Sequence, residues 1–114
     1  MNIPEDKITA IYNGFNTHFC QQVDIDTEIV KKYIPQSSYL FFLGNTDAKK
    51  NAARTLKAYS LYLQQSTVKR PLLIADLGWE HIDKLLEQEG IKDIRPYLHA
   101  PGYIVNSDLS TLYN

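Results

Sequence analysis

Apolar positions along this 114-residue chain fall into two alternating rhythms, short unbroken runs and stripes recurring every three or four residues. Residues 8–12 (ITAIY) predict a short strand ending in the Asn13-Gly14 turn pair. Over 24–34, Ile25, Ile29 and Tyr33 recur at helical spacing, Asp26 or Thr27 can cap the start, and Pro35 stops the helix. Residues 39–43 (YLFFL) form the continuous run that a strand covered on both faces requires. A second helix is predicted over 48–64, with Ala52, Leu56, Tyr59 and Leu63 on one face. Residues 72–75, led in by Pro71, predict another buried strand. Trp79, Ile82, Leu85 and Leu86 mark a third helix, closed by Gly90 just past its end. Residues 97–104 predict a strand interrupted by Pro101-Gly102, after which Ser107 caps a helix whose first apolar positions are Leu109, Leu112 and Tyr113.

Strand and helix in strict alternation predict an α/β fold: a Rossmann-like, three-layer α/β/α arrangement around a small, mainly parallel sheet. In the usual doubly wound order, 3-2-1-4-5-6, the run 39–43 would lie at the centre. Three or four strands make a small sheet for this class, which averages about five or six. The pattern therefore predicts a truncated sheet with 39–43 at an edge, where an apolar strand pairs readily with another chain. A homo-oligomer formed through this edge is one expectation. Another is that residues 8–12 dock on the vacant edge, within or between chains.

Composition narrows the field. The formal net charge of −1 lacks the basic excess of a nucleic-acid binder, so no nucleic acid is predicted as a partner. No apolar run reaches the roughly 18 residues of a membrane helix. The start, MNIPEDKI, has neither the basic flank nor the apolar stretch of a secretion signal. A single cysteine, Cys20, excludes an internal disulfide framework, and a cytoplasmic setting is predicted. His18, His81 and His99 stand far apart with no paired-ligand spacing, so no metal site is predicted.

In open parallel sheets, ligands bind beyond the carboxyl ends of the strands. The run 39–43 ends at Gly44, followed by Asn45-Thr46-Asp47-Ala48-Lys49-Lys50-Asn51. Gly44 allows a sharp turn and close approach of a ligand. Asp47 as N-cap would put Lys49 and Lys50 in the first helical turn, where the macrodipole disfavours each cation by about 0.3–1 kcal/mol. That arrangement suggests a bound anion, since a helix start plus lysine cradles phosphate. The alternative is two solvated lysines. No G-x-G-x-x-G, no P-loop and no acidic pair of a phosphoacceptor module is present.

Three stretches resemble glycosyltransferase family 4, enzymes of the GT-B superfamily with two facing Rossmann-like domains. IPEDKITAIYNGFNTHF (3–19) is similar to the segment closing the family's N-terminal domain. YLFFLGNTDAKKN (39–51) resembles its first donor-domain strand and the G-N-x-D-P-R-K-N loop. LHAPGYIVNSDLSTLYN (98–114) resembles F-L-G-Y-V-x-D-x-D-L-x-x-L-Y, and LLIADLGWEHIDKL between them looks like the second strand and its loop. Ala48, Lys49 and Pro101 depart from the family pattern, which often has proline, arginine and an apolar residue there. The family's next segment, a glycine-rich loop with paired glutamates, has no counterpart in these 114 residues.

The resemblance implies residues 1–34 as an inter-domain segment and 35–114 as the first half of a nucleotide-sugar-binding domain. It implies retaining transfer of a sugar from a UDP-, GDP- or other nucleoside-diphosphate donor, the substrate rather than a cofactor, to an acceptor sugar or lipid-linked saccharide. The setting would be bacterial surface polysaccharide or lipopolysaccharide synthesis, the complete enzyme membrane-peripheral, and the 114 residues inactive alone. Lys50 would be the catalytic contact to the diphosphate, assisted by Lys49. Gly44 and Asn45 would line the approach, Gly78 would lie in a neighbouring donor-side loop, and the backbone of Gly102, Tyr103 and Ile104 would meet the base. The alternative is a non-catalytic oligomerising or nucleotide-binding α/β module.

Overall fold

The computed structural model describes residues 2–22, 24–36 and 38–114. Three parallel strands, β1 (Leu40–Leu43), β2 (Leu72–Ala75) and β3 (Leu98–Gly102), form one sheet in the order β1-β2-β3. Leu40 pairs with Leu72 and Leu43 with Ala75, while Leu72 pairs with Leu98 and Ala75 with Gly102. The register shifts between Leu73 and Ala75. Pro101 lies here, and its missing N–H fits a break in the ladder. The α/β class and the parallel sheet agree with the sequence pattern, and β1 is an edge strand.

Among the described residues, four α-helices connect and cover the strands: α1 (Thr27–Tyr33), α2 (Ala52–Gln65), α3 (Trp79–Glu89) and α4 (Asn106–Leu112). Asp26 caps α1 by accepting from the Glu28 N–H. Gly90, at φ 66°, closes α3, a conformation that costs glycine nothing. Ser107 does not cap α4; Val105 stands at that position, and no side-chain cap hydrogen bond is made there. Residues 92–97 form a 3-10 segment, Lys92–Tyr97, that shortens the strand expected over 97–104.

β2 is buried throughout and divides two cores. Leu72 and Ile74 pack with Ala52, Leu56, Tyr59, Leu63, Ile82 and Leu86 from α2 and α3. Leu73 and Ala75 pack on the other face with Ile34, Ile104, Leu109 and Leu112, beneath α1 and α4. The helix faces expected of α2 are the ones buried. In α1 the expected stripe holds in part: Tyr33 packs on the core, but Ile25 is 41% exposed, and Val30 and the buried Ile34 make the other contacts.

Residues 8–12 are a correction. They form no strand, and residues 9–15 make no backbone hydrogen bond among the described residues. Ile11 and Tyr12 are about nine-tenths exposed (88% and 91%), so the segment does not dock on the sheet of its own chain. Alternating apolar residues satisfy a strand only when a neighbour supplies the ladder, and none does here. This outlying segment contributes to a radius of gyration of 18.1 Å, against about 13 Å for a compact chain of this length.

Candidate functional site

Parallel strands end together, so the loops after β1, β2 and β3 meet at the sheet's carboxyl edge. The Gly44 N–H donates to the Ala75 carbonyl at 3.0 Å, and the Asp76 N–H donates to the Gly102 carbonyl at 2.8 Å. Gly44, Asp76 and Gly102 thus stand side by side across the edge, with Gly78 two residues further on at the start of α3. Among the described residues, three of the four with positive φ follow these strands: Asn51 (52°), Asp76 (60°) and Gly102 (85°).

Gly44 is buried, and a Cβ added there would meet the Phe42 ring at 3.0 Å and Leu77 Cβ at 3.5 Å. Its lack of a side chain therefore serves close packing against the end of β2. Gly78 and Gly102 have open space where a Cβ would be, and of the two only Gly102 needs its positive φ.

The loop carrying the lysines is ordered by its own side chains. Asn45 Oδ1 accepts from the Asp47 N–H at 2.8 Å, and Asp47 Oδ1 accepts from the Lys49 N–H at 2.9 Å. The Lys50 and Asn51 N–H groups donate to the Asp47 and Ala48 carbonyls. These bonds make a separate 3-10 turn, Ala48–Lys50. Asn51, in the left-handed conformation, breaks it from α2, which begins only at Ala52. The expectation that Lys49 and Lys50 occupy the first turn of the long helix is thereby corrected. They bear no macrodipole penalty of that kind, and their amides already have partners within the loop.

Both lysine side chains belong to exposed residues and join no ion pair found among the described residues. Arg54 was missed from the sequence. The late start of α2 puts it in that helix's first turn, exposed and likewise outside those ion pairs. No side chain caps α2, so its opening amides have no capping acceptor. The only signal was Asn51, a residue tolerant of the left-handed conformation.

Tyr103 is 73% exposed, whereas Ile104 is fully buried in the α1–α4 core, leaving its backbone as the available contact. Trp79 packs beside the α2–α3 core, with the Arg95 guanidinium 4.3 Å from its ring centroid, and serves as a packing residue.

Concavities lie elsewhere. Cavities of about 540 and 320 Å³ flank β1 on its two faces, and one of about 350 Å³ lies near Cys20. None is lined by Gly44, Asn45, Lys49, Lys50, Gly78, Gly102, Tyr103 or Ile104. Lys49, Lys50 and Arg54 follow β1 as exposed residues and line none of these three cavities. Among the described residues no group of three His, Cys, Asp or Glu side chains is placed to hold a metal ion, and no helix is long and apolar enough to cross a membrane.

No protein-family model and no solved structure matches the chain. Among curated proteins it is similar to O-antigen chain mannosyltransferase B of Escherichia coli, with 25% identity over 116 aligned residues. The alignment covers 98% of this chain and 30% of the mannosyltransferase, so the chain spans less than a third of that relative's length. The similarity, extending over nearly every residue of this chain, is to a glycosyltransferase.

Proposed function

We propose that the chain is the donor-binding part of a family 4, GT-B-type retaining glycosyltransferase, with 1–34 as the inter-domain segment and 35–114 as the first half of the nucleotide-sugar domain. The observation that carries this reading is the convergence of the loops after β1, β2 and β3 on one edge, Gly44 and Gly102 both flanking the end of β2. These are the loops in which the family's donor contacts are expected. The likeness to a mannosyltransferase over 98% of the chain supports it independently.

In this reading the donor's diphosphate lies along the sheet's carboxyl edge against Lys50 and Lys49, with Arg54 and the opening amides of α2 beside it. Positive groups fixed before reaction stabilise the charge that develops on the leaving diphosphate, and no metal ion is required. Gly44 and Asn45 shape the approach, Gly78 the neighbouring loop, and the backbone of Gly102, Tyr103 and Ile104 meets the base. The acceptor is a sugar or lipid-linked saccharide of a surface polysaccharide, handled by a cytoplasmic, membrane-peripheral whole enzyme. In this reading the 114 residues hold only the first half of the donor domain, so weak nucleotide binding without turnover is expected of them.

Titrating UDP or GDP into labelled protein tests this. Amide shifts should map to 44–54, 76–78 and 102–104, and Lys50→Ala should weaken binding by about 1.5–3 kcal/mol, the range for a bond to a charged group. Shifts confined to other surfaces, or unchanged affinity in the variant, would reject the site.

A further inference from the structure

Helix α4 follows directly on the loop 102–105, which in the proposed reading meets the donor's base. One end of that loop is pinned to β2, where the Asp76 N–H donates to the Gly102 carbonyl at 2.8 Å. The other end is set by α4: the Asp108 and Leu109 N–H groups both donate to the Val105 carbonyl, at 3.0 and 3.1 Å. Buried Ile104 packs with Leu109 and Leu112 in one close-packed core, so a shift of α4 carries the loop with it.

Two earlier stretches of the chain grip α4. Among the described residues, three of the four buried polar side chains lie on this helix: Asp108, Ser110 and Thr111. Asp108 Oδ2 accepts from Lys32 Nζ and from the Tyr33 hydroxyl of α1. Two residues on, the Ser110 hydroxyl donates to the His18 carbonyl at 3.0 Å and accepts from Gln22 Nε2 at 3.2 Å. The Gln22 N–H donates to Asn114 Oδ1 at 2.9 Å, and Asn114 Nδ2 donates to the Cys20 carbonyl at 3.2 Å. Hydrogen bonds weaken steeply away from their preferred angles, so these ties fix the orientation of α4 as well as its distance.

We propose that residues 18–22 and α1 position the base-side loop through α4, coupling the inter-domain segment to nucleotide binding, with Gln22 and Tyr33 as positioning residues. The inference rests on the donor-binding reading. A nucleotide that fixes the loop 102–105 also fixes α4, and a fixed α4 holds residues 18–22 more tightly. Coupling between two sites is reciprocal, so loosening either grip weakens nucleotide binding.

Amide hydrogen exchange and affinity, measured with GDP and with UDP in parallel, test this. Saturating nucleotide should slow exchange of the Gln22 amide about fivefold, the lower end of ordinary allosteric coupling. Tyr33→Phe, which removes one hydroxyl, and Gln22→Ala should each keep the circular dichroism spectrum and weaken nucleotide binding by about the same factor. Lys31→Ala, at the neighbouring α1 residue bonded to Glu28, should bind as the wild type does. Binding of neither nucleotide would reject the donor reading and this inference with it. Shifts at 44–54 and 102–104 with Gln22 exchange unchanged, or with wild-type affinity in folded Tyr33→Phe or Gln22→Ala, overturn the coupling and leave the donor site standing. So does equal weakening by Lys31→Ala, which would assign the effect to the charge of α1.

Discussion

The Tyr33 hydroxyl donates to Asp108 Oδ2 at 2.5 Å, tying the last residue of α1 to the first turn of α4 across 75 positions of sequence. Lys32 Nζ reaches the same oxygen at 3.1 Å. The tyrosine hydroxyl first, and the lysine ammonium second, hold the Asp108 carboxyl below the ordinary carboxylate range. A lowered folded-state pKa stabilises fully above the unfolded value, near 4, and the contribution fades as pH falls through the folded value. Urea unfolding below about pH 4 should therefore show a flatter pH dependence in Asp108→Asn than in the wild type. Equal slopes would remove Asp108 from the acid response.

Tyr59 sets up the opposite window. Burial first, then the neighbouring Tyr62 and Tyr97 rings, push its hydroxyl up to about 12. For an acid raised on folding, stability is complete below the unfolded value, near 10, and lost as pH rises toward the folded one. The hydroxyl donates to the Arg70 carbonyl at 2.8 Å. Tyr59→Phe should cost about 1 kcal/mol at neutral pH and lessen the alkaline loss of stability, both measurable by denaturant titration.

Gly44 tests whether close packing governs the strand end. Gly44→Val should destabilise by about 1–3 kcal/mol through overpacking against Phe42 and Leu77. Gly44→Ala should cost less, because only the edge of the Phe42 ring must give way. Equal midpoints for wild type and Gly44→Val would show the site to be looser than its contacts.

At Asp76 the backbone is left-handed, at φ 60°, where a Cβ is unfavourable. Asp76→Gly should be more stable than Asp76→Ala by about 1 kcal/mol. The reverse order would point to a side-chain role that outweighs the backbone.

The central layers were legible because their signals are local. The run 72–75 is β2 residue for residue, and Ala52, Leu56, Tyr59 and Leu63 are buried together, since a continuous apolar run and a four-residue stripe each fix a burial pattern. Residues 8–12 carried an equally good alternation without a partner strand, which no local pattern can reveal. At the candidate site, a loop after the run 39–43 was legible, but the start of the following helix was not. Asp47 can cap a single 3-10 turn as readily as a long helix, and the break at Asn51 depends on one backbone angle. Arg54 went unnoticed for the same reason.

Alternate residues of β2 belong to opposite cores, so the strand is a key cut on both sides. A slip of one position would send Leu73 and Ala75 toward α2 and α3, and Leu72 and Ile74 beneath α1 and α4. Small Ala75 would leave a void on one side while bulky Ile74 crowded the other. Misalignment is thus rejected twice over, and these four residues act as the chain's proofreader during assembly.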